Sequence, residues 1–186
     1  LELSSGRAAD LGRHLSGNFL PLADIEHELV LLSGHRTAAR EAATDREVMQ
    51  ASLARVQSAT TELAAQAITL GTAGTTRQVS DLAATAAQTM GSLIGSLNTE
   101  VAGRSLFSGA QTETSPLAPA EILLSEVRSA LIGATSAAEV QSRLDIFFDS
   151  STGGFLASIY QGGNSEVATY RLGSGESVAL DIRADD

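Results

Sequence analysis

Between residues 22 and 70, apolar or small side chains recur at intervals of three and four: Ile25, Leu29, Leu32, Ala39, Ala42 and Ala43, then Met49, Leu53, Val56, Leu63, Ala67 and Leu70. That period gathers them on one side of an α-helix. Pro21 suits the first turn, where its missing N–H has no intrahelical acceptor to lose. No Gly or Pro interrupts the pattern between His35 and Leu70, with Gly34 the weak point before it. One helix of roughly 50 residues and about 75 Å is therefore predicted. Residues 71–75, reading GTAGT, supply a turn, and the period resumes at Val79, Leu82, Ala83, Ala86, Met90, Leu93, Leu97 and Val101. Two amphipathic helices joined by a short loop predict an antiparallel helical hairpin. Their polar sides are rich in Thr, Ser and Gln rather than in spaced ion pairs, so packing must supply what propensity does not. Gly103 is the expected stop of the second helix, because glycine takes the left-handed backbone that ends helices.

After Phe107 the pattern breaks into SGAQTETSPLAP, a turn-rich linker with two prolines. Ile122, Leu123, Val127, Ala130 and Leu131 then return to helical spacing, and Ser136 with Glu139 forms a capping-box pattern ahead of Val140, Leu144, Ile146, Phe147 and Phe148. Two short helices are predicted, followed by SSTGGFLASIYQGG, a turn cluster around one apolar stretch. The final segment alternates, with Val167, Thr169 and Arg171 set against Ala168, Tyr170 and Leu172. Val178, Leu180 and Ile182 alternate again beyond Gly173, Ser174 and Gly175, which predicts a β-hairpin. The fold class is mainly α with a β-hairpin. Its organisation divides into a helical core over 1–106, a small outer domain with short helices over 107–160, and a hairpin returning to the core over 161–186.

Composition narrows the functions. Only 4% of residues are aromatic and none is Trp, so Ala, Leu, Val and Ile must fill an interior of closely spaced helices. All 12 cationic side chains are Arg, which removes Schiff-base and phosphate-loop lysine chemistry. A net charge of −10 argues against docking on nucleic acid or anionic lipid. Without cysteine there is no thiolate nucleophile, disulfide or Cys-based zinc site. No apolar run reaches the about 18 residues that a spanning helix needs. The chain begins at Leu1, without Met, and is expected to be a fragment cut at both ends.

Candidate chemistry is sparse. His27 and His35 lie eight apart with Asp24 and Glu28 nearby, and His14 stands alone, but no HExxH spacing occurs; surface histidines are the better reading than a metal site. Gly173-Ser174-Gly175 lacks the lysine of a phosphate cradle and reads as a hairpin turn. Asp185 and Asp186 lack the loop of oxygen ligands that calcium requires and read as solvated charge. The serines include no GxSxG elbow. No catalytic residue, cofactor or metal is expected, and the chain is not read as an enzyme.

Residues 98–109, NTEVAGRSLFSG, supply the most specific signal. Asn98, Gly103, Arg104, Phe107, Ser108 and Gly109 fall in a segment that resembles the Asn-Thr-x-Val-x-Gly-Arg-Tyr-Leu-Phe-Ser-Gly block of the hook-associated junction proteins of the bacterial flagellum, within the flagellin superfamily. Ser105 replaces the tyrosine. Leu3, Ser4, Ser5 and Gly6, followed by Arg7, are similar to the Leu-Ser-Ser-Gly of that superfamily, and Glu62-Leu63-Ala64-Ala65-Gln66-Ala67 to its Glu-Leu-Ala-Val-Gln-Ala block. Tyr160-Gln161-Gly162-Gly163 and residues 182–186 resemble the region before the C-terminal helices. After Gly6 the chain reads RAADLGR in place of the filament-subunit pattern, which favours the junction class.

The resemblance implies a flagellin-like rod of long antiparallel helices, with terminal segments beyond this sequence that line an inner tube and carry the export signal. It implies a structural role, joining hook to filament by side-by-side packing, with Leu53, Val56, Leu63, Gln66, Leu93 and Leu97 as subunit-contact candidates. The implied partners are copies of the chain in a ring, flagellin, the neighbouring hook-associated protein and an export chaperone, and the implied location is outside the cell. Thr61 stands where flagellins that engage the innate receptor carry Arg, which argues against that recognition. Phe107 is expected to be buried where the chain turns outward. A short flagellin forming filament and a free-standing helical adhesion or signalling module are the alternatives.

Overall fold

The structure, a computed structural model, describes residues 18–165, 167 and 169–186. Helix α1 runs over Leu20–Leu70 as 51 residues without a break, so Gly34 does not interrupt it. A 3₁₀ turn at Gly71–Ala73 leads to α2, Thr76–Leu97. Thr75 caps α2 reciprocally with Gln78: its hydroxyl accepts from the Gln78 N–H, and the Gln78 side chain accepts from the Thr75 N–H at 2.9 Å. Hydroxyls along both helices donate to the carbonyl four residues earlier, as Thr61 does to Gln57 at 2.8 Å and Ser96 to Ser92 at 3.0 Å. Such local bonds satisfy the Ser/Thr-rich sides without a tertiary partner.

The second helix stops earlier than expected. Asn98 is its C-cap, donating N–H to the Ile94 carbonyl at 2.8 Å. Gly103 instead helps turn a hairpin between β1, Glu100–Val101, and β2, Arg104–Ser105. Ala102 at φ 51° and Gly103 at φ 77° form the two-residue turn with both φ positive that matches strand twist.

Contacts divide the chain into two compact units. One contains residues 18–42 with Tyr170–Val178. Here β3, Tyr170–Arg171, pairs antiparallel with β4, Ser177–Val178, and Leu172 N–H donates to the Glu176 carbonyl at 2.9 Å across the Gly-rich turn. The strands are shorter than the alternating sequence predicts. His35 Nδ1 of α1 lies 3.3 Å from the Arg171 carbonyl.

The other unit contains Ala43–Thr169 and Ala179–Asp186. Ser52 of α1 donates to Thr99 Oγ1 at 3.5 Å. The chain has thus come back alongside α1 after a five-residue link, which makes α1 and α2 antiparallel. Met49 and Ser52 are buried, with Val56, Ala59 and Leu63 half-buried, at steps of three and four.

Beyond β2 come α3, Ala120–Ala130, α4, Ala137–Asp149, and a single π-turn, Phe155–Ile159, where a simple loop was expected. Tyr160 N–H bonds the Phe155 carbonyl to close that turn. Gly154 is required beside it, because a Cβ there would lie 2.3 Å from the Phe147 ring. The core is Ile94, Leu117, Ala118, Leu123, Phe147, Ile159 and Tyr160, so the last turns of α2 pack directly against α3, α4 and the π-turn segment.

Candidate interaction surfaces

The NTEVAGRSLFSG segment is a structural junction. Asn98 holds the Leu117 peptide from both sides: its Nδ2 donates to the Leu117 carbonyl and its Oδ1 accepts from the Leu117 N–H, each at 2.9 Å. Phe107 and Ser108 are fully buried. Gly109, at φ 62°, pairs with Gly163, whose carbonyl would sit 2.3 Å from any Cβ at 109. Arg104 is exposed on β2. Leu3, Ser4, Ser5, Gly6 and His14 lie outside the described residues.

Three segments meet over Phe107. Ser108 accepts from Gly163 N–H at 2.8 Å, and the Phe107 carbonyl accepts from Ala184 N–H at 3.0 Å. Asp185 and Asp186, read from sequence as solvated charge, are here in part a packed group. The Asp185 side chain retains 10% of its exposure and lies 3.4 Å from Arg183 Nε, an ion contact without hydrogen-bond geometry at its buried Oδ1. Asp186 is half-exposed, accepts from the Arg183 N–H at 2.8 Å and lies 3.4 Å from its guanidinium. The Asp185 carboxylate is the main influence holding the Arg183 pKa above its ordinary value. Burial, then the Asp185 charge, pushes the Tyr160 hydroxyl up to about 12. An isolated Asp-Asp pair in sequence gives no sign of such burial; only the returning chain creates it.

A second charged device ties α4 to the end of α3. Arg143 donates to the Ala130 and Ile132 carbonyls at the end of α3 and pairs with Glu139 at 2.6 Å. Glu139 also accepts from the Thr135 N–H at 3.0 Å, so the capping box predicted at Ser136 is split. Ser136 accepts from the Glu139 N–H, while the return arm reaches Thr135 instead. The Thr135 N–H first, and Arg143 second, hold the Glu139 carboxyl below its usual range.

Of the expected contact residues, Leu53, Val56, Leu63, Leu93 and Leu97 are half-buried within the chain, and Leu97 packs against the core. Gln66 is exposed and borders an open cavity of about 550 Å³ with Thr69, Leu70, Gly74 and Gln78. The larger apolar exposure lies elsewhere. Phe19, Leu20, Ile25, Leu29, Val30, Leu31 and Leu32 keep between 47% and 74% of their surface in water. Leu22, Ile25, Leu29 and Leu32, at steps of three and four, make a continuous stripe on one side of α1.

No family model, curated protein or solved structure matches the chain significantly. Among the described residues, no three His, Asp or Glu side chains converge as a metal site would require, and no helix is long and apolar enough to cross a membrane. The described surface carries an apolar helical stripe with charged side chains around it.

Proposed function

We propose that the chain is a structural subunit of the bacterial flagellum, of the hook-associated protein 3 kind, joining hook to filament by packing its helices against neighbouring subunits. The observation that carries this reading is the apolar stripe of α1, where Ile25, Leu29 and Leu32 are 55–61% exposed. Contiguous apolar surface of this kind marks a face meant for another protein. The order of elements also supports it: a long helix, a short turn, a second helix, the NTEVAGRSLFSG junction, and a small helical module. In this reading the α1 and α2 faces pass force between subunits, with no substrate turned over. The partners in this reading are copies of the chain, flagellin and the adjoining hook-associated protein after export from the cell.

Deletion of the encoding gene tests the proposal. Cells lacking a junction subunit assemble hooks and shed unpolymerised flagellin into the medium, and an antibody to residues 110–160 labels the hook–filament boundary in the parent. Filaments of normal length in the deletion strain would refute the junction role. Labelling along the whole filament would replace it with the short-flagellin reading, which the same apolar stripe serves equally.

A further inference from the structure

In the first half of α1 the charges around the start of the apolar stripe are acidic, and the first charged side chains after Leu32 are arginines, with Glu41 beyond them. Asp24, Glu26 and Glu28 lie toward its start, and Arg36 and Arg40 follow Leu32. The stripe continues at the same spacing through exposed Arg36 and Ala39, giving positions 22, 25, 29, 32, 36 and 39. This is the 3,4 repeat of a two-helix seam. The β3–β4 hairpin bonds α1 at His35, which is not on that repeat. Among the described residues, Ile25, Leu29, Leu32, Arg36 and Ala39 of this seam are exposed and Leu22 is half-buried.

We propose that two copies of this chain pair antiparallel through this seam. Setting Leu29 of one copy against Leu32 of the other places Leu22 against Ala39 and Ile25 against Arg36. Arg36 then lays its aliphatic stem on Ile25 and extends its guanidinium to Asp24 and Glu28, which flank Ile25 on the partner. Neither Glu28 nor Arg36 makes an ion pair with a described residue of its own chain. A parallel pair in register would instead stack Arg36 on Arg36 at the same seam position, so charge selects the antiparallel form. The pairing is isologous, each copy offering the same surface.

An antiparallel pair has no polarity, whereas a junction between two different structures needs one. Pairing and assembly through the same face would exclude each other, so the pair is a form held apart from assembly. The pairing itself does not depend on the flagellar reading, and a strictly monomeric chain would remove the pair while leaving that reading in place.

The absence of cysteine allows a direct test. Sedimentation equilibrium of the chain should show a species of twice 19.2 kDa that grows with concentration. Leu29→Asp should weaken association by at least about 100-fold with helical circular dichroism unchanged, because Leu29 is already 60% exposed within the single chain. Under oxidation, Leu22→Cys and Ala39→Cys should each fail to cross-link alone and should cross-link when mixed. A monomer at high concentration, cross-linking of either single variant with itself, or a Leu29→Asp variant that pairs as well as the parent would each overturn the proposal.

Discussion

Replacing Asn98 tests how the end of α2 is joined to the segment leading into α3. Its carboxamide makes two bonds of 2.9 Å to the Leu117 N–H and carbonyl, and Leu117 is 4% exposed. On the other side of this segment, Gln161 N–H bonds the Pro116 carbonyl and Ala118 N–H bonds the Ile159 carbonyl. Asn98→Ala would leave one donor and one acceptor unpaired in a mostly buried place. At about 1–3 kcal/mol for each unsatisfied group, and with Asn98 itself only half-buried, the loss should be about 2–4 kcal/mol. For a chain of this size that lowers the thermal midpoint by roughly 5–15 °C. Asn98→Asp separates the two bonds. The introduced carboxylate still accepts from the Leu117 N–H but turns an oxygen toward the Leu117 carbonyl. Its folded pKa is therefore raised, so the variant should regain stability as pH falls through that value and the carboxyl becomes a donor. Asn98→Ala should show no such recovery. Thermal denaturation by circular dichroism at pH 7 and pH 4 measures both. An Asn98→Ala midpoint within about 1 °C of the parent, or an Asn98→Asp variant as stable as the parent at pH 7, would refute the reasoning.

Phe107 is fully buried where three segments meet, so Phe107→Ala should destabilise by about 3–5 kcal/mol in urea unfolding, and Phe107→Leu by far less. Gly109→Ala and Gly103→Ala compare two positive-φ glycines. Both lose roughly 1 kcal/mol from backbone strain, but only position 109 meets the Gly163 carbonyl, so its midpoint should fall markedly further. Tyr160 has its pKa raised to about 12 from 10 by burial and by Asp185. The preference for the neutral phenol is fully present below pH 10 and is lost as pH rises through 12. Stability should therefore decline over that window, and Tyr160→Phe should flatten the decline.

Features set by local pattern were legible in the sequence. The steps of three and four from Ile25 to Leu70 and the uninterrupted run after His35 mark α1, and the short helices α3 and α4 follow from the same periodicity. Features created by distant chain were not. Gly103 has the chemistry of a helix stop, yet Asn98 ends α2 five residues earlier because its side chain is engaged by Leu117, 19 residues on. Asp185 reads as surface charge until Arg183 and Tyr160 close around it. The π-turn at Phe155–Ile159 follows Gly154, where the Phe147 ring, eight or more residues earlier in the chain than the turn, leaves no room for a Cβ. The surface that supports the functional reading was partly visible: the apolar period of α1 could be read, but which part of it remains uncovered required the fold.

Phe107 and Leu29 show why the uncovered part bears on function rather than on folding. Both are large and apolar, but Phe107 is 0% exposed and Leu29 is 60% exposed. Burying a side chain of this size stabilises a protein by about 1.5–3 kcal/mol; at Ile25, Leu29 and Leu32 most of that gain is forgone within the single chain. Glu, Gln or Arg at those positions would keep α1 helical with equal propensity and better solubility. Folding of the described units therefore gives no reason for leucine and isoleucine there. Under the proposed packing against neighbouring subunits, their burial would. It follows that polar substitutions along the Leu22 to Leu32 stripe should leave the unfolding midpoint of the dilute monomer nearly unchanged while removing association, the reverse of what Phe107→Ala does. A stripe variant that lost monomer stability as Phe107→Ala does would show that this face belongs to the fold, and the proposal of a subunit built to pack against others would lose its main support.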